Sequence, residues 1–305
     1  MKNLTLAFSL LILFSCQKEE KIPRNPVSEE VMNKAKLASK ALDLHDYEQA
    51  GKLLEDVEPS DEEKKIAQSL EEKYGKANIL LWISAPTGDL TSVKMAVDDG
   101  ADVNLEIEGH GGSLLGATQS GNIKLVSYLL EKGANPNTKN LSGMTPLSIA
   151  VSRDRLDIVK LLIKNKASFN RGGDPNNLKF SILTVALSTR KTEMFHYLLK
   201  EGADPNGANG LPLAFSIMLK NKEAIEALVK SGADINYSGK GGFRPLMTAV
   251  VEGDKEIIEL LIKLGANPKL KDENGLTAFD WAKKHNSQGG KILKELLSKR
   301  VNHKN

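Results

Sequence analysis

Short apolar stretches, several of them with a pair of leucines near the end, alternate with glycine- and asparagine-rich turns over most of this chain. The turns share the pattern Gly-Ala-Asp/Asn-x-Asn, which reads GADVN at 100–104, GANPN at 133–137, KASFN at 166–170, GADPN at 202–206, GADIN at 232–236 and GANPK at 265–269. The alanines of this motif are 33, 33, 36, 30 and 33 residues apart. A pattern that recurs at such a period predicts stacked copies of one structural unit.

Each copy predicts two helices joined by a tight turn. Proline begins the first helix at Pro146, Pro212 and Pro245, where its missing N–H costs nothing. Gly121 and Gly253 are predicted to turn the chain between helices with positive φ, and the glycine of each Gly-Ala motif to end the second helix in the left-handed conformation. Paired leucines are predicted to face the neighbouring unit and form one continuous core: Leu129–Leu130, Leu161–Leu162, Leu198–Leu199 and Leu260–Leu261.

These segments are similar to a known repeat family. GMTPLSIAVSRDRLDIVKLLIKNKA at 143–167 is nearly a full ankyrin repeat, and the stretches 210–233 and 242–266 are close variants of it. With the opening and closing segments included, residues 77–305 resemble an ankyrin-repeat solenoid of about seven helix–turn–helix units. The resemblance implies an all-α fold with a non-catalytic, protein-binding function. The asparagines that end the motifs are expected to bond the turn backbone.

Two irregularities interrupt the repeats. Lys166 stands where the other motifs have glycine, which costs about 1 kcal/mol if Lys166 is left-handed. The next connection is longer and contains RGGDPNN at 171–177. Insertions in solenoids fall in loops, so this one is either part of a binding face or a tolerated surface insertion.

The first residues resemble a bacterial lipoprotein signal. A short start with Lys2 precedes an apolar run at 4–14, and the run ends just before Cys16. The resemblance implies a signal peptide at 1–15, lipidation of Cys16 and a tether at 16–27. Gln17 rather than Asp follows the cysteine, so the expected location is the bacterial outer membrane, on its periplasmic face or at the cell surface. An ordinary cleaved signal with a chance cysteine is the alternative.

Residues 28–76 predict an acidic helical segment. Ser28 is a good N-cap, and apolar residues recur at helical spacing up to Tyr74. The stretch HDYEQAGKLLEDVEP resembles one tetratricopeptide unit. The segment is interpreted as an N-terminal cap that covers the apolar face of the first repeat, which solenoids require, and a separate binding module is the alternative.

Composition gives no sign of chemistry. The net charge of +3 is too near neutral to indicate nucleic-acid binding, and Cys16 is the only cysteine. The five histidines fall in different units without metal spacing, and no Walker or Rossmann glycine pattern is present. We therefore expect no catalytic residues, metal or cofactor, and a protein that is not an enzyme. We also expect the chain to be a monomer.

The ankyrin resemblance implies that partners bind the hairpin tips and the concave ends of the first helices. The expected partner-binding residues are Leu141, Met144, Phe180, Phe243 and Arg244 at tips, and Arg153, Arg190 and Met218 on the concave side, with Thr118 among further concave positions. Phe243 follows glycines that cannot cover its ring, so part of it is expected in water, and Arg244 adds a charge-assisted donor. The alternative is that several tips fold back on the neighbouring hairpin.

Three functions fit this pattern. The first is a lipid-tethered module that binds a protein of the bacterial envelope. The second is a regulator or protector of a neighbouring envelope enzyme. The third is a surface-exposed protein that engages a host protein. All three use the same scaffold, because repeat proteins keep the fold and vary the surface.

Overall fold

The computed structural model describes residues 68, 69, 71–107, 111–169, 181–189, 192–239 and 242–302. The expected signal peptide with Cys16, the tether, most of the 28–76 segment and the insertion at 171–177 lie outside these residues. Phe180 and Arg190 lie outside them as well. At the junction with the first repeat, Tyr74 packs against a buried cluster of Ile79, Ile83 and Ile107.

The chain divides into two units, which are described separately. The first comprises Met1–Ala150 and Asp157–Ala167, and the second comprises Val151–Leu156 and Ser168–Asn305. The helices in the first part of the chain are α1 (Lys76–Thr87), α2 (Leu90–Asp98), α3 (Ser113–Ser120), α4 (Ile123–Glu131), α5 (Pro146–Ser152) and α6 (Leu156–Lys164). In the first unit, α1 packs against both α2 and α3, and α3 packs against α4.

The second unit contains four further helix pairs. They are α7 (Ile182–Ser188) and α8 (Thr192–Lys200), α9 (Gly207–Met218) and α10 (Lys222–Lys230), α11 (Pro245–Glu252) and α12 (Lys255–Lys263), and α13 (Ala278–Lys284) and α14 (Gly289–Asn302). The helix α9 is kinked at its start, where Ala208, Asn209 and Gly210 are left-handed. Across the described part of the chain, the regular elements form seven consecutive helix pairs, which confirms the predicted all-α architecture.

In six of the seven described helix pairs, the second helix ends in the same hydrogen bond. The motif alanine donates its N–H to the carbonyl of the residue five positions earlier, a fully buried leucine in five of the repeats. The pairs are Ala134 with Leu129, Ala167 with Leu162, Ala203 with Leu198, Ala233 with Leu228 and Ala266 with Leu261, at 2.9–3.0 Å. The residue immediately before each motif alanine has positive φ, as predicted, and at Lys166 φ is 66°. The left-handed Lys166 therefore carries the strain that glycine avoids.

The prediction for the leucine pairs is only partly right. Both leucines of the pair Leu260–Leu261 are buried, as predicted. In the other three pairs one member is fully buried, but Leu130, Leu161 and Leu199 are half-buried. A helix presents one stripe to the core, and adjacent residues are about 100° apart around its axis, so the other leucine of such a pair lies at the edge of that stripe. The leucine five positions before the motif alanine is the core residue.

The asparagine that ends a motif bonds the next repeat rather than its own turn. Asn206 donates its side-chain amide to the Gly232 carbonyl at 2.9 Å and accepts from the Asp234 N–H at 2.8 Å. Asn104 makes the same two bonds to Gly133 and Asn135, at 3.0 and 2.7 Å. Because one side chain satisfies both a donor and an acceptor of the following turn, it fixes the spacing between neighbouring repeats.

Candidate partner-binding surface

Three tips between repeats share one hydrogen-bonded turn. Asn140, Gly239 and Asp272 each donate a backbone N–H to the carbonyl four residues later, at 2.9–3.2 Å. A glycine with φ of 74–76° precedes the last residue of each turn. Such a bond holds the tip backbone in place, so the side chains it carries are presented from a fixed frame.

The first of these tips carries an exposed apolar side chain. Leu141 is 74% exposed, and Met144, the last residue of the same turn, is half-buried. A large apolar side chain this exposed on a loop tip is a candidate contact for a partner. Leu141 is thus exposed at its tip, and its contact with a partner stays a prediction.

The tip residue Phe243 folds onto the following repeat. It is half-buried, and its ring meets the Trp281 ring at 4.8 Å between centroids with the planes inclined by 83°. The Trp281 ring also stacks on His285 at 5.2 Å, with Lys284 Nζ 4.9 Å from its centroid. The contact corresponds to the alternative in which a tip packs on its neighbour, with part of the ring left exposed.

Arg244 ties two repeats together through their backbones. Its Nη1 donates to the Asn236 carbonyl at 2.7 Å, and its Nε and Nη2 donate to the Lys271 carbonyl at 3.4 and 3.3 Å. All three nitrogens of the guanidinium are thus engaged within the protein. Arg244, which was expected to donate to a partner, instead joins the backbone at Asn236 to the backbone at Lys271 of the next repeat.

A buried carboxylate organises the last tip. Asp272 accepts hydrogen bonds from the Leu276 N–H at 2.8 Å, the Trp281 indole N–H at 2.9 Å and the Asn274 N–H at 2.9 Å. Burial by itself raises the pKa of Asp272, but these hydrogen bonds to the ionised form together outweigh it and hold the pKa below its ordinary value. The Asp272 carboxylate thereby fixes the position of Trp281 under Phe243.

The residues that were expected on the concave side differ in how exposed their side chains are. Met218 is 64% exposed and its neighbour Leu219 37% exposed, at the end of α9. Arg153, one residue beyond α5, is exposed as well. Thr118 was expected on this surface, but the expectation is wrong: its side chain is fully buried and donates to the Leu114 carbonyl at 2.8 Å. A polar residue such as threonine can be buried in this way because a carbonyl of its own helix accepts the hydroxyl hydrogen bond, so its polarity did not predict exposure.

Polar side-chain contacts that the sequence did not reveal link successive repeats of the second unit. Lys222 Nζ forms an ion pair with Glu256 at 2.6 Å, and Lys220 Nζ forms one with Asp254 at 3.1 Å. His196 Nε2 makes a hydrogen bond with Glu223 at 3.0 Å. Ion pairs this exposed contribute at most about 1 kcal/mol each.

Neither a metal-binding cluster nor a membrane-spanning helix is present in the described residues. They contain no group of three or more histidine, cysteine, aspartate or glutamate side chains able to hold a metal ion. No helix in this part of the chain is both long enough and apolar enough to cross a membrane.

Comparison with known proteins agrees with this geometry. A family model described as ankyrin repeats (3 copies) matches residues 80–176, 114–209 and 213–305. This chain belongs to the ankyrin-repeat family. Among solved structures, the human ASB11 ankyrin repeat domain matches with TM-score 0.55 and 24% identity over 71% of this chain and 96% of that chain. The ankyrin repeat domain of Bcl-3 matches with TM-score 0.58 and 20% identity over 70% and 97%. At these identities the likeness shows the ankyrin fold.

Curated relatives match over shorter stretches. The human transient receptor potential cation channel subfamily A member 1 is 31% identical over 110 residues, which is 35% of this chain and 10% of that protein. Alpha-latrocrustotoxin-Lt1a of Latrodectus tredecimguttatus is 36% identical over 95 residues, 30% of this chain and 7% of the toxin. This ankyrin chain spans a tenth or less of either protein. Ankyrin repeats serve as protein-interaction scaffolds and imply protein partners.

Proposed function

We propose that this ankyrin-repeat protein is a membrane-tethered interaction module of a bacterial cell envelope and binds its partner without catalysis. The observation that carries the proposal is the exposure of large apolar side chains on two of the surfaces expected to bind. Leu141 stands out from a tip whose backbone is hydrogen-bonded, and Met218 from the end of a packed helix. Exposed apolar side chains on a fixed frame support binding, because little conformational entropy is lost when a partner covers them.

The proposed location rests on the sequence before residue 28. The apolar run that ends at Cys16 fits a lipoprotein signal, and several acyl chains on one cysteine hold a protein firmly to a bilayer. A tether at 16–27 with two prolines keeps the repeats close to that surface. The partner is then a protein of the same envelope compartment, or a host protein if the chain is displayed outside.

A photo-crosslinking experiment in intact cells tests this function. A photoreactive phenylalanine analogue replaces Leu141 in one variant, Met218 in a second and Glu226, an exposed residue of α10, in a third control variant. If the proposal is right, the analogue at Leu141 or at Met218 gives discrete adducts, which have the same size where both positions react. The analogue at Glu226 gives none. Identical adduct patterns at all three positions, or no adduct at any, would contradict a dedicated binding surface.

A further inference from the structure

The first helices of three successive repeats in the second unit end in register. The helix α9 packs against α11, and α11 against α13. Each ends just before a left-handed residue: Lys220 at φ 54°, Gly253 at φ 68° and Asn286 at φ 50°. The two residues before each of these therefore occupy equivalent places in successive repeats. We call these pairs, Met218–Leu219, Val251–Glu252 and Lys284–His285, the helix-end row.

The helix-end row changes its chemistry from repeat to repeat. Met218 and Leu219 are both exposed and make the first position apolar. Glu252 is exposed and makes the second acidic, while Lys284 and His285 are exposed and make the third cationic and aromatic. The nearby charges of Lys220 and Asp254 neutralise one another at 3.1 Å. Glu252 and Lys284 are therefore the charges that the row presents to a ligand.

The spacing of the helix-end row suits one conformation of a bound chain. Packed helices lie about 8–10 Å apart, so equivalent places in successive repeats are separated by about that distance. A polyproline-II segment rises about 3.1 Å per residue with three residues per turn, so every third side chain points the same way, about 9 Å further on. A β-strand presents its side chains at even intervals of about 6.6 Å and fits this spacing less well.

Resting on the proposed function, we propose that the helix-end row binds an extended, polyproline-II-like segment of a partner protein that carries an apolar, a basic and an acidic side chain at every third position. The apolar side chain covers Met218 and Leu219, the basic one pairs with Glu252, and the acidic one pairs with Lys284. The segment runs in either chain direction along the row. The apolar contact supplies most of the affinity and the two charges supply selectivity, because exposed ion pairs are weak.

Synthetic peptides test the order of these side chains. The first probe contains Leu-Pro-Pro-Lys-Pro-Pro-Glu, and the second contains the reverse order Glu-Pro-Pro-Lys-Pro-Pro-Leu. The third and fourth probes are their charge-exchanged forms, Leu-Pro-Pro-Glu-Pro-Pro-Lys and Lys-Pro-Pro-Glu-Pro-Pro-Leu. The full chain is purified in detergent with Trp82→Phe, so that Trp281 is the only tryptophan. Binding is followed by peptide anisotropy and by Trp281 emission, which responds to a carboxylate at Lys284 because that ammonium lies 4.9 Å from the ring.

We expect one of the first two probes to bind about two- to fivefold more tightly than its charge-exchanged form, the range for exposed ion pairs. The double variant Glu252→Lys with Lys284→Glu should reverse this preference. A matched control, Glu226→Lys with Lys291→Glu, changes the same charges on exposed residues outside the row and should leave it unchanged. Met218→Ser with Leu219→Ser should weaken all binding about tenfold or more.

Two results would overturn this inference. One is equal affinity for the four probes, including no measurable binding of any; the other is a preference that the Glu252 and Lys284 exchange does not reverse. Cross-links from Leu141 or Met218 in cells would then still support the proposed function, with a partner of different chemistry. Loss of those cross-links, with the peptide preference intact, would instead contradict the envelope partner and leave the row's specificity standing.

Discussion

Phe243 and Trp281 meet edge to face across two repeats, with ring centroids 4.8 Å apart. The glycines before Phe243 suggested a ring partly in water, but this contact predicts that the ring also stabilises the fold. We expect Phe243→Ala to lower the free energy of unfolding by about 1–3 kcal/mol. A double-mutant cycle with Trp281→Ala, measured by urea titration, should give a coupling of about 0.5–1.5 kcal/mol, as aromatic pairs do.

The matched control for Phe243 is Leu141, a more exposed apolar residue at another tip. Its side chain is 74% exposed, so Leu141→Ala should change the free energy of unfolding by less than about 0.5 kcal/mol. If both alanine variants leave the urea midpoint unchanged, the ring of Phe243 is not held by Trp281 in solution. A partner-binding role for the ring would then be the better interpretation.

The carboxylate of Asp272 predicts an acid-sensitive last repeat. Its pKa in the folded protein lies below the ordinary value of about 3.9. Stabilisation by the ionised form is therefore complete above that value and is lost as the pH falls through the folded pKa. Asp272→Asn should flatten the fall of the urea midpoint in that acid range, whereas Glu273→Gln, one residue further along the same tip, should not. Parallel curves for the wild-type chain and Asp272→Asn would rule out this linkage.

The elements of the fold that depend on local sequence were predictable. Proline at the start of α11 and glycine after it follow from backbone conformations that only those residues adopt easily, and Gly253 has the positive φ expected. Even Lys166 takes the left-handed conformation that its place in the motif demands. The repeat period then gave the number of helix pairs, because it depends only on spacing along the chain.

Features that depend on contacts between repeats were not predictable. Arg244 was expected to donate to a partner, but its donors are satisfied by the carbonyls of Asn236 and Lys271, and Lys271 belongs to the next repeat. Asn206 looked like a cap for its own turn but bridges to Gly232. In both cases the partner is a backbone atom, and a backbone carbonyl has no signature in the sequence.

The register of the second helices can be tested with one leucine pair. Leu162 is fully buried and its carbonyl accepts from Ala167, whereas Leu161 is half-buried. We expect Leu162→Ala to lower the free energy of unfolding by about 2–5 kcal/mol, the usual range for a buried leucine, and Leu161→Ala to lower it by clearly less. Equal losses for the two variants in urea titrations would reject the observed register.

Close packing of α14 on α11 predicts that Gly289 does not tolerate a side chain. A Cβ at Gly289 would collide with the Val250 carbonyl oxygen, which also accepts from the Ser287 hydroxyl. Gly289→Ala should therefore destabilise the chain by about 1–3 kcal/mol, as overpacking does. At Gly290 the nearest atom is 3.1 Å away, on the Ala282 side chain. Gly290→Ala should cost less, and the reverse order of thermal midpoints would contradict this packing.

The tether is tested at its proposed attachment point. The apolar run that ends before Cys16 predicts that acyl chains on this cysteine hold the protein to the membrane. Cys16→Ala should move the chain from the membrane pellet to the soluble fraction and abolish incorporation of labelled fatty acid, while Ser15→Ala should retain both. Since the repeats begin well after this site, the variant should keep its helical circular dichroism. A Cys16→Ala chain that stays in the pellet with that spectrum would show that something other than a lipidated cysteine attaches it.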